Sequence, residues 1–252
     1  MSELKNIYSS RKTEVLSYLD LLATIDKATK SGRVVIAGIE DTKNSHISMQ
    51  QIKMLHSTLF LHLYNLIEWT LSSFVQEIVT FLKSGRTLPY KLPPEIFNLW
   101  IANVFHADKD LSYNKKIEYA SYIYRIALNK ETIGQDFTLY ETIFKKNVDL
   151  SEIKNVLNRF GIQLQLSNEC HKAINQNVLD DKNILSTIKS QRNKLAHGET
   201  SFFEASEAFD FQTLYKWANT TLTFTDELVE ILDKYLDNLP AIKITRESAK
   251  SI

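Results

Sequence analysis

The chain has 252 residues, 44% hydrophobic and 24% charged, which suffices for one large domain or two small ones with a real core. Its 30 lysines and arginines balance 30 aspartates and glutamates, for a formal net charge of zero. That argues against coating nucleic acid by bulk electrostatics, which needs many basic contacts to phosphate, but not against an enzyme that touches a few phosphates transiently.

With only 6 glycines and 4 prolines, the chain lacks the punctuation of a sheet-rich fold and favours long helices joined by few loops. Leu4, Ile7, Val15, Leu19, Leu22 and Ile25 recur near helical spacing and predict a helix over about 3–29, ended by Gly32. The β-branched run over 33–39 reads as a lone strand or an extended loop packed on the bundle, since one short strand cannot build a sheet. Ser48-Met49-Gln50-Gln51 has the S-x-x-Q form of a capping box. It opens a long amphipathic helix through Ile52, Leu59, Leu66, Leu71, Phe74 and Leu82, with a stripe wide enough for a central bundle element. Ser84-Gly85 and Pro89 are expected to end it.

Pro93-Pro94 predicts a short helix to about residue 106, and a further helix is expected over about 113–127. Asp149, with Glu152 at the third position, caps a helix to about residue 160. Asp180-Asp181 are expected to cap a helix that runs to His197, with Gly198 as its left-handed terminator. A last long helix is predicted over about 210–236, and the polar tail after Pro240 is expected to fray. The pattern gives an all-α fold, an antiparallel helical bundle with additional helices. The expected division is an N-terminal helix and extended arm over 1–45, the bundle over 46–237 and a tail over 238–252.

Cys170 is the one cysteine, so no intramolecular disulfide can form. The first residues lack the apolar core of a signal peptide. No run of about 18 uncharged apolar residues suggests a membrane span, and the expected location is cytoplasmic. No H-E-x-x-H or C-x-x-C occurs, and His56 and His62 have the wrong spacing for a helical metal pair, so no metal is expected. Phosphate-cradling glycine loops are likewise missing from the sequence. Tyr113, Tyr119, Tyr122 and Tyr124 could stack bases, but at helical spacing they are expected to pack in the core or an interface.

The chemistry-bearing stretch is Ser190-Gln191-Arg192-Asn193-Lys194-Leu195-Ala196-His197-Gly198. The apolar stripe of its helix is Ile184, Ile188 and Leu195, and Arg192 falls on that core-facing side. An arginine there either snorkels outward or occupies a reserved polar site. His197 follows at the helix end. Five residues turn a regular helix by about 500°, or 140° net, so the two side chains do not stack. Both can still border one cleft, above all if the last turn loosens.

This stretch resembles the HEPN superfamily, whose signature is an arginine, usually a polar residue next, and then a histidine four to six residues on. Arg192 to His197 fits as R-N-x-x-x-H, and the S-x-R-N-x-x-A-H-G form is similar to stand-alone bacterial HEPN families. Leu63-Tyr64-Asn65-Leu66-Ile67-Glu68-Trp69 resembles the first core helix of the family, where a carboxylate often faces the motif arginine. The resemblance implies metal-independent RNA cleavage without a cofactor, with Arg192 and His197 as catalytic residues. Asn193, Glu68 and Asn65 are its candidate supporting residues; Glu68 either holds Arg192 by an ion pair from the neighbouring helix or is an exposed glutamate at a helix boundary. It also implies an RNA substrate, a homodimer that pairs two histidines, and a toxin or defence role with an antitoxin or defence-system partner protein. The rival reading is a HEPN-fold module without turnover that binds RNA, a nucleotide or a protein partner. A third is that a nucleotidyltransferase modifies the chain.

Overall fold

The computed structural model describes residues 3–32, 35–36, 45–83, 92–106, 112–128 and 147–239. The architecture is all-α. Helix α1 (Glu3–Ser31) leads through the strands β1 (Val35–Ile36) and β2 (Ser45–His46) to α2 (Met49–Lys83). Then come α3 (Pro94–His106), α4 (Tyr113–Ala127), α5 (Leu150–Arg159) and α6 (Asn168–Asn175). Strands β3 (Asn177–Leu179) and β4 (Lys182–Asn183) precede α7 (Ile184–Ala196), the short α8 (Glu204–Glu207) and α9 (Phe211–Asp237).

The caps written into the sequence form as expected. The Ser48 N–H donates to Gln51 Oε1 at 2.8 Å while Ser48 Oγ accepts from the Gln51 N–H, a reciprocal capping box on α2. Asp149 accepts from the Glu152 N–H to open α5; at α9, where the sequence marked only the start of a helix, Asp210 accepts from the Thr213 N–H. Three expectations are corrected. The run over 33–39 is not a lone strand, because Val35–Ile36 pairs antiparallel with Ser45–His46. Asp180 and Asp181 cap nothing: with φ of 46° and 57° they make the tight turn between β3 and β4. Two consecutive positive φ values suit a two-residue hairpin, where aspartate is tolerated. The residue that caps α7 is Asn183, whose side chain accepts from the Ser186 N–H. Finally, α4 buries less than its tyrosines suggested: Tyr122 packs towards Trp100, but Tyr113 and Tyr124 are 77% and 65% exposed. The expected stop of α2 at Ser84-Gly85 and Pro89, and the tail from Pro240, lie outside the described residues.

Helix α2 is the axis of the bundle, with sixteen buried side chains on a stripe broad enough to take neighbours on several sides. Helix α1 runs antiparallel to it: Tyr18 donates to the Leu55 carbonyl near one end, and Arg11 lies over the Trp69 ring further along. Helix α9 runs parallel to α2, since His56 meets Phe211 at one end and Phe74 meets Tyr235 at the other. Ion pairs from Lys5 to Glu230 and Lys12 to Asp226 tie α1 to α9. Helix α7 lies on a further side of α2. The chain passes from Arg192, opposite Tyr64 and Glu68, to Ser206, whose hydroxyl donates to the Lys53 carbonyl. Helix α7 therefore runs back along α2 and ends over its first half.

One core residue links this packing to pH. His56 is buried against Phe211, and neither ring nitrogen has a hydrogen-bond partner. Burial, with a smaller push from Lys53, holds its pKa below 6.5. The unfolded chain therefore binds a proton that the folded chain resists, and stability falls as pH drops below about 6.5, by at most ~1.4 kcal/mol per pH unit for this group. Urea midpoints should fall between pH 7.5 and 5.5, and His56→Phe should reduce that slope, with part left to His62, which burial also holds below 6.5. An unchanged slope would show that His56 does not carry it.

Candidate active site

The site is built on α7, and its sequence shows why the helix presents two polar groups differently. Ile184, Leu185, Thr187, Ile188, Gln191 and Leu195 are buried and fix the face that meets the bundle. Arg192 lies beside that stripe, partly buried, with its guanidinium against α2. The guanidinium carbon stands 4.2 Å from the centroid of the Tyr64 ring, within range for a cation–π contact. Arg192 Nη2 is 3.7 Å from Glu68 Oε2, with both side chains about a quarter exposed. Arg192 Nη1 donates to Asn193 Oδ1 at 3.0 Å.

Tyr64 and Glu68 are four residues apart on α2 and so share one face. Tyr64 is buried, and its hydroxyl accepts from the Val148 N–H at 3.2 Å. Burial pushes its phenol up; the Val148 bond and Arg192 oppose that while Glu68 adds to it. Asn193 Nδ2 donates in turn to Asn147 Oδ1 at 3.1 Å. Lys189, one turn before Arg192, pairs with Asp149. Burial alone would raise the Asp149 carboxyl, but bonds from Lys189, Ser151 and the Glu152 N–H outweigh it and hold its pKa low.

His197 is exposed at the end of the same helix, as its C-cap. Its φ of −92° and ψ of −1° keep it close to the helical path, so the last turn does not loosen towards Arg192. The reversal comes one residue later. Gly198 takes φ +70°, its N–H donates to the Leu195 carbonyl, and the Glu199 N–H donates to the Lys194 carbonyl at 2.9 Å. This is a complete Schellman turn, and a residue with a Cβ would be strained at that φ.

A family model described as HEPN_MAE_28990-like HEPN matches residues 1–240. The chain belongs to this HEPN family. No curated protein and no solved structure matches it. The HEPN match begins at residue 1 and takes in α1, whose Leu4, Val15, Leu19 and Leu22 lie in the common core.

Of the residues that the HEPN resemblance singled out, Arg192, Asn193 and Glu68 come together. His197 is exposed at the end of α7, and among the described residues no hydrogen bond or ion pair joins its side chain to them. Asn65 is exposed on α2, and among the described residues no hydrogen bond joins it to the cluster. Sequence reasoning missed Tyr64 and Asn147. Tyr64 was legible in principle, one helical turn before Glu68. Asn147 was not, because its bond to Asn193 spans 46 residues of chain. Among the described residues no cluster of His, Cys, Asp and Glu is arranged for a metal ion, and no helix is long and apolar enough to cross a membrane.

The ion pair of Arg192 and Glu68 has a direct test. Partly exposed pairs of this length contribute up to about 1 kcal/mol. If Glu68 orients the guanidinium, Glu68→Gln should slow single-turnover RNA cleavage by up to about fivefold and leave the helical spectrum unchanged. Unaltered rates would remove Glu68 from the site.

Proposed function

We propose that this protein is a metal-independent endoribonuclease that works as a two-fold dimer, with Arg192 and His197 as its catalytic residues. Membership in a HEPN family supports a nuclease or RNA-related role at the coarse level. The observation that carries the finer reading is the split on α7. Arg192 is held against α2 by Tyr64 and Glu68, while His197 caps the same helix and faces solvent. One chain offers a cation held against α2 and a single exposed imidazole at the helix end, about 140° apart around the helix by their spacing. A two-fold axis near the end of α7 would bring a second His197 to the first.

The chemistry suits that pair. The RNA 2′-oxygen attacks the adjacent phosphorus, forming a new O–P bond while the bond to the 5′-oxygen breaks. One His197 takes the proton from the 2′-hydroxyl, and the His197 of the other protomer gives one to the departing 5′-oxygen. Negative charge grows on the phosphoryl oxygens, and the Arg192 fork, held on the Tyr64 ring and by Asn193, stabilises it. The products are a 2′,3′-cyclic phosphate and a 5′-hydroxyl. A toxin or defence role, with an antitoxin or other partner protein, is the biological setting that the HEPN resemblance suggests.

The test joins assembly to activity. Light scattering at micromolar concentration should give a dimer, and pure protein should cleave mixed RNAs in EDTA while Arg192→Ala does not. A strict monomer that still cleaves would remove the shared site. A dimer that binds RNA without cleaving it would favour a HEPN-fold binding module.

A further inference from the structure

Three consecutive residues far from α7 in sequence each bond to one part of the Arg192 cluster. Asn147 Oδ1 accepts from Asn193 Nδ2, the Val148 N–H donates to the Tyr64 hydroxyl, and Asp149 pairs with Lys189. Asn193 in turn holds one arm of the guanidinium and the Tyr64 ring underlies it. Asp149 is also the cap of α5, so the tripeptide is anchored from its far side by the buried Leu150, Ile153, Val156 and Leu157.

We infer that Asn147, Val148 and Asp149 form a positioning strap that sets the plane of the Arg192 guanidinium by way of Asn193 and Tyr64. The inference rests on the ribonuclease reading for its consequence in catalysis, though not for its geometry. An arginine side chain has many rotamers, and its fork is useful to a phosphate only when its plane is fixed. Glu68 at 3.7 Å fixes it loosely. The Tyr64 ring sets the plane, and the Asn147–Asn193 bond sets the rotation within it. None of the three strap residues needs to touch RNA. Each acts through a neighbour, so a fault in the strap should lower turnover and leave substrate affinity alone.

Asn147 is exposed, so truncating it should spare the fold. In single-turnover cleavage Asn147→Ala should lose about 3–10-fold in rate, the size of one hydrogen bond, with an unchanged half-saturating RNA concentration. Asn147→Asp keeps the acceptor for Asn193 and should restore most of the rate. Asn147→Ala added to Asn193→Ala should cost nothing more, because the first acts only through the second. Tyr64→Phe keeps the ring but loses both the Val148 tether and the hydroxyl's contact with Glu68, and should lose at least as much rate as Asn147→Ala. The Arg192 Nε–Hε signal in NMR relaxation gives a readout independent of activity. It should be rigid in the full-length wild type and mobile in Asn147→Ala and in Tyr64→Phe. Should the wild type cleave no RNA, the ribonuclease reading fails and this signal alone decides the strap. Unchanged Arg192 mobility in both variants, or full additivity of Asn147→Ala with Asn193→Ala, would overturn it.

Discussion

In single-turnover assays on RNA, His197→Ala should cut the cleavage rate by a factor of about 10²–10⁴, the usual worth of a positioned proton-transfer group. Arg192→Ala should cost about 10²–10³, because it removes the charge proposed to meet the phosphoryl oxygens. Neither loss should come from unfolding. The α7 terminus is held by backbone bonds, from the His197 N–H to the Asn193 carbonyl and from the Glu199 N–H to the Lys194 carbonyl. The exposed imidazole adds nothing to them. Truncating Arg192 leaves Glu68 partly exposed, so its carboxylate is rehydrated at a cost of about 1 kcal/mol or less. Melting curves of both variants should therefore overlay that of the wild type within a few degrees. Full activity in both variants would place the cleavage elsewhere or in a contaminant.

The largest effect on stability is expected from Phe74→Ala. Phe74 is fully buried on α2, and its ring sits edge-on to Phe160 at 5.3 Å and to Tyr235 at 5.9 Å. One side chain thus joins α2 to the end of α5 and to α9. Its loss removes the transfer energy of the ring and leaves a cavity that three elements from distant parts of the chain cannot close together. The expected cost is about 3–5 kcal/mol, or roughly 10 °C in melting temperature for a domain of this size. Phe74→Leu refills most of the space and should cost about 1.5 kcal/mol or less. A loss below about 1 kcal/mol for the alanine variant would mean that this junction collapses without a cavity. Because Phe160 and Val148 bracket α5, loosening the junction should also slacken the segment that holds Tyr64.

The parts of this structure that were legible in the sequence are those where a short local rule decides. The capping box at Ser48 and Gln51, the cap at Asp149 and the reversal at Gly198 all follow from backbone groups that need partners within four residues. The stripe of α2 was equally plain, since a long helix repeats its pattern many times. What failed was short or distant. Asp180-Asp181 looked like a helix cap because aspartate serves both caps and tight turns, and only pairing of Leu179 with Lys182 selects the turn. Helix α6 has eight residues, too few for a periodic signal, although Ser167 caps it. The exposure of Tyr113 and Tyr124 contradicts a burial preference that is only an average.

The candidate site divides the same way. Arg192, Asn193 and His197 stand within six residues and carry a family signature. Glu68 was reachable because the Leu63–Trp69 segment resembles the first core helix of the family, where a carboxylate often faces the motif arginine. Asn147 was out of reach, since nothing local marks an asparagine before a cap as the partner of another asparagine 46 residues away. Asn65 was named within the segment that resembles the first core helix of the family, yet adjacent helical residues point about 100° apart, and the cluster formed on Tyr64 instead.

Analysis of the fragment ends decides whether His197 and Arg192 of this HEPN chain cleave RNA by 2′-hydroxyl attack. Pure protein is incubated with a defined RNA in excess EDTA, and the termini are assigned by mass spectrometry. Every cut should carry a 2′,3′-cyclic phosphate and a 5′-hydroxyl, and no such ends should appear with His197→Ala. Fragments with 5′-phosphates, or cleavage that EDTA abolishes, would contradict it, since those mark water activated by a metal ion.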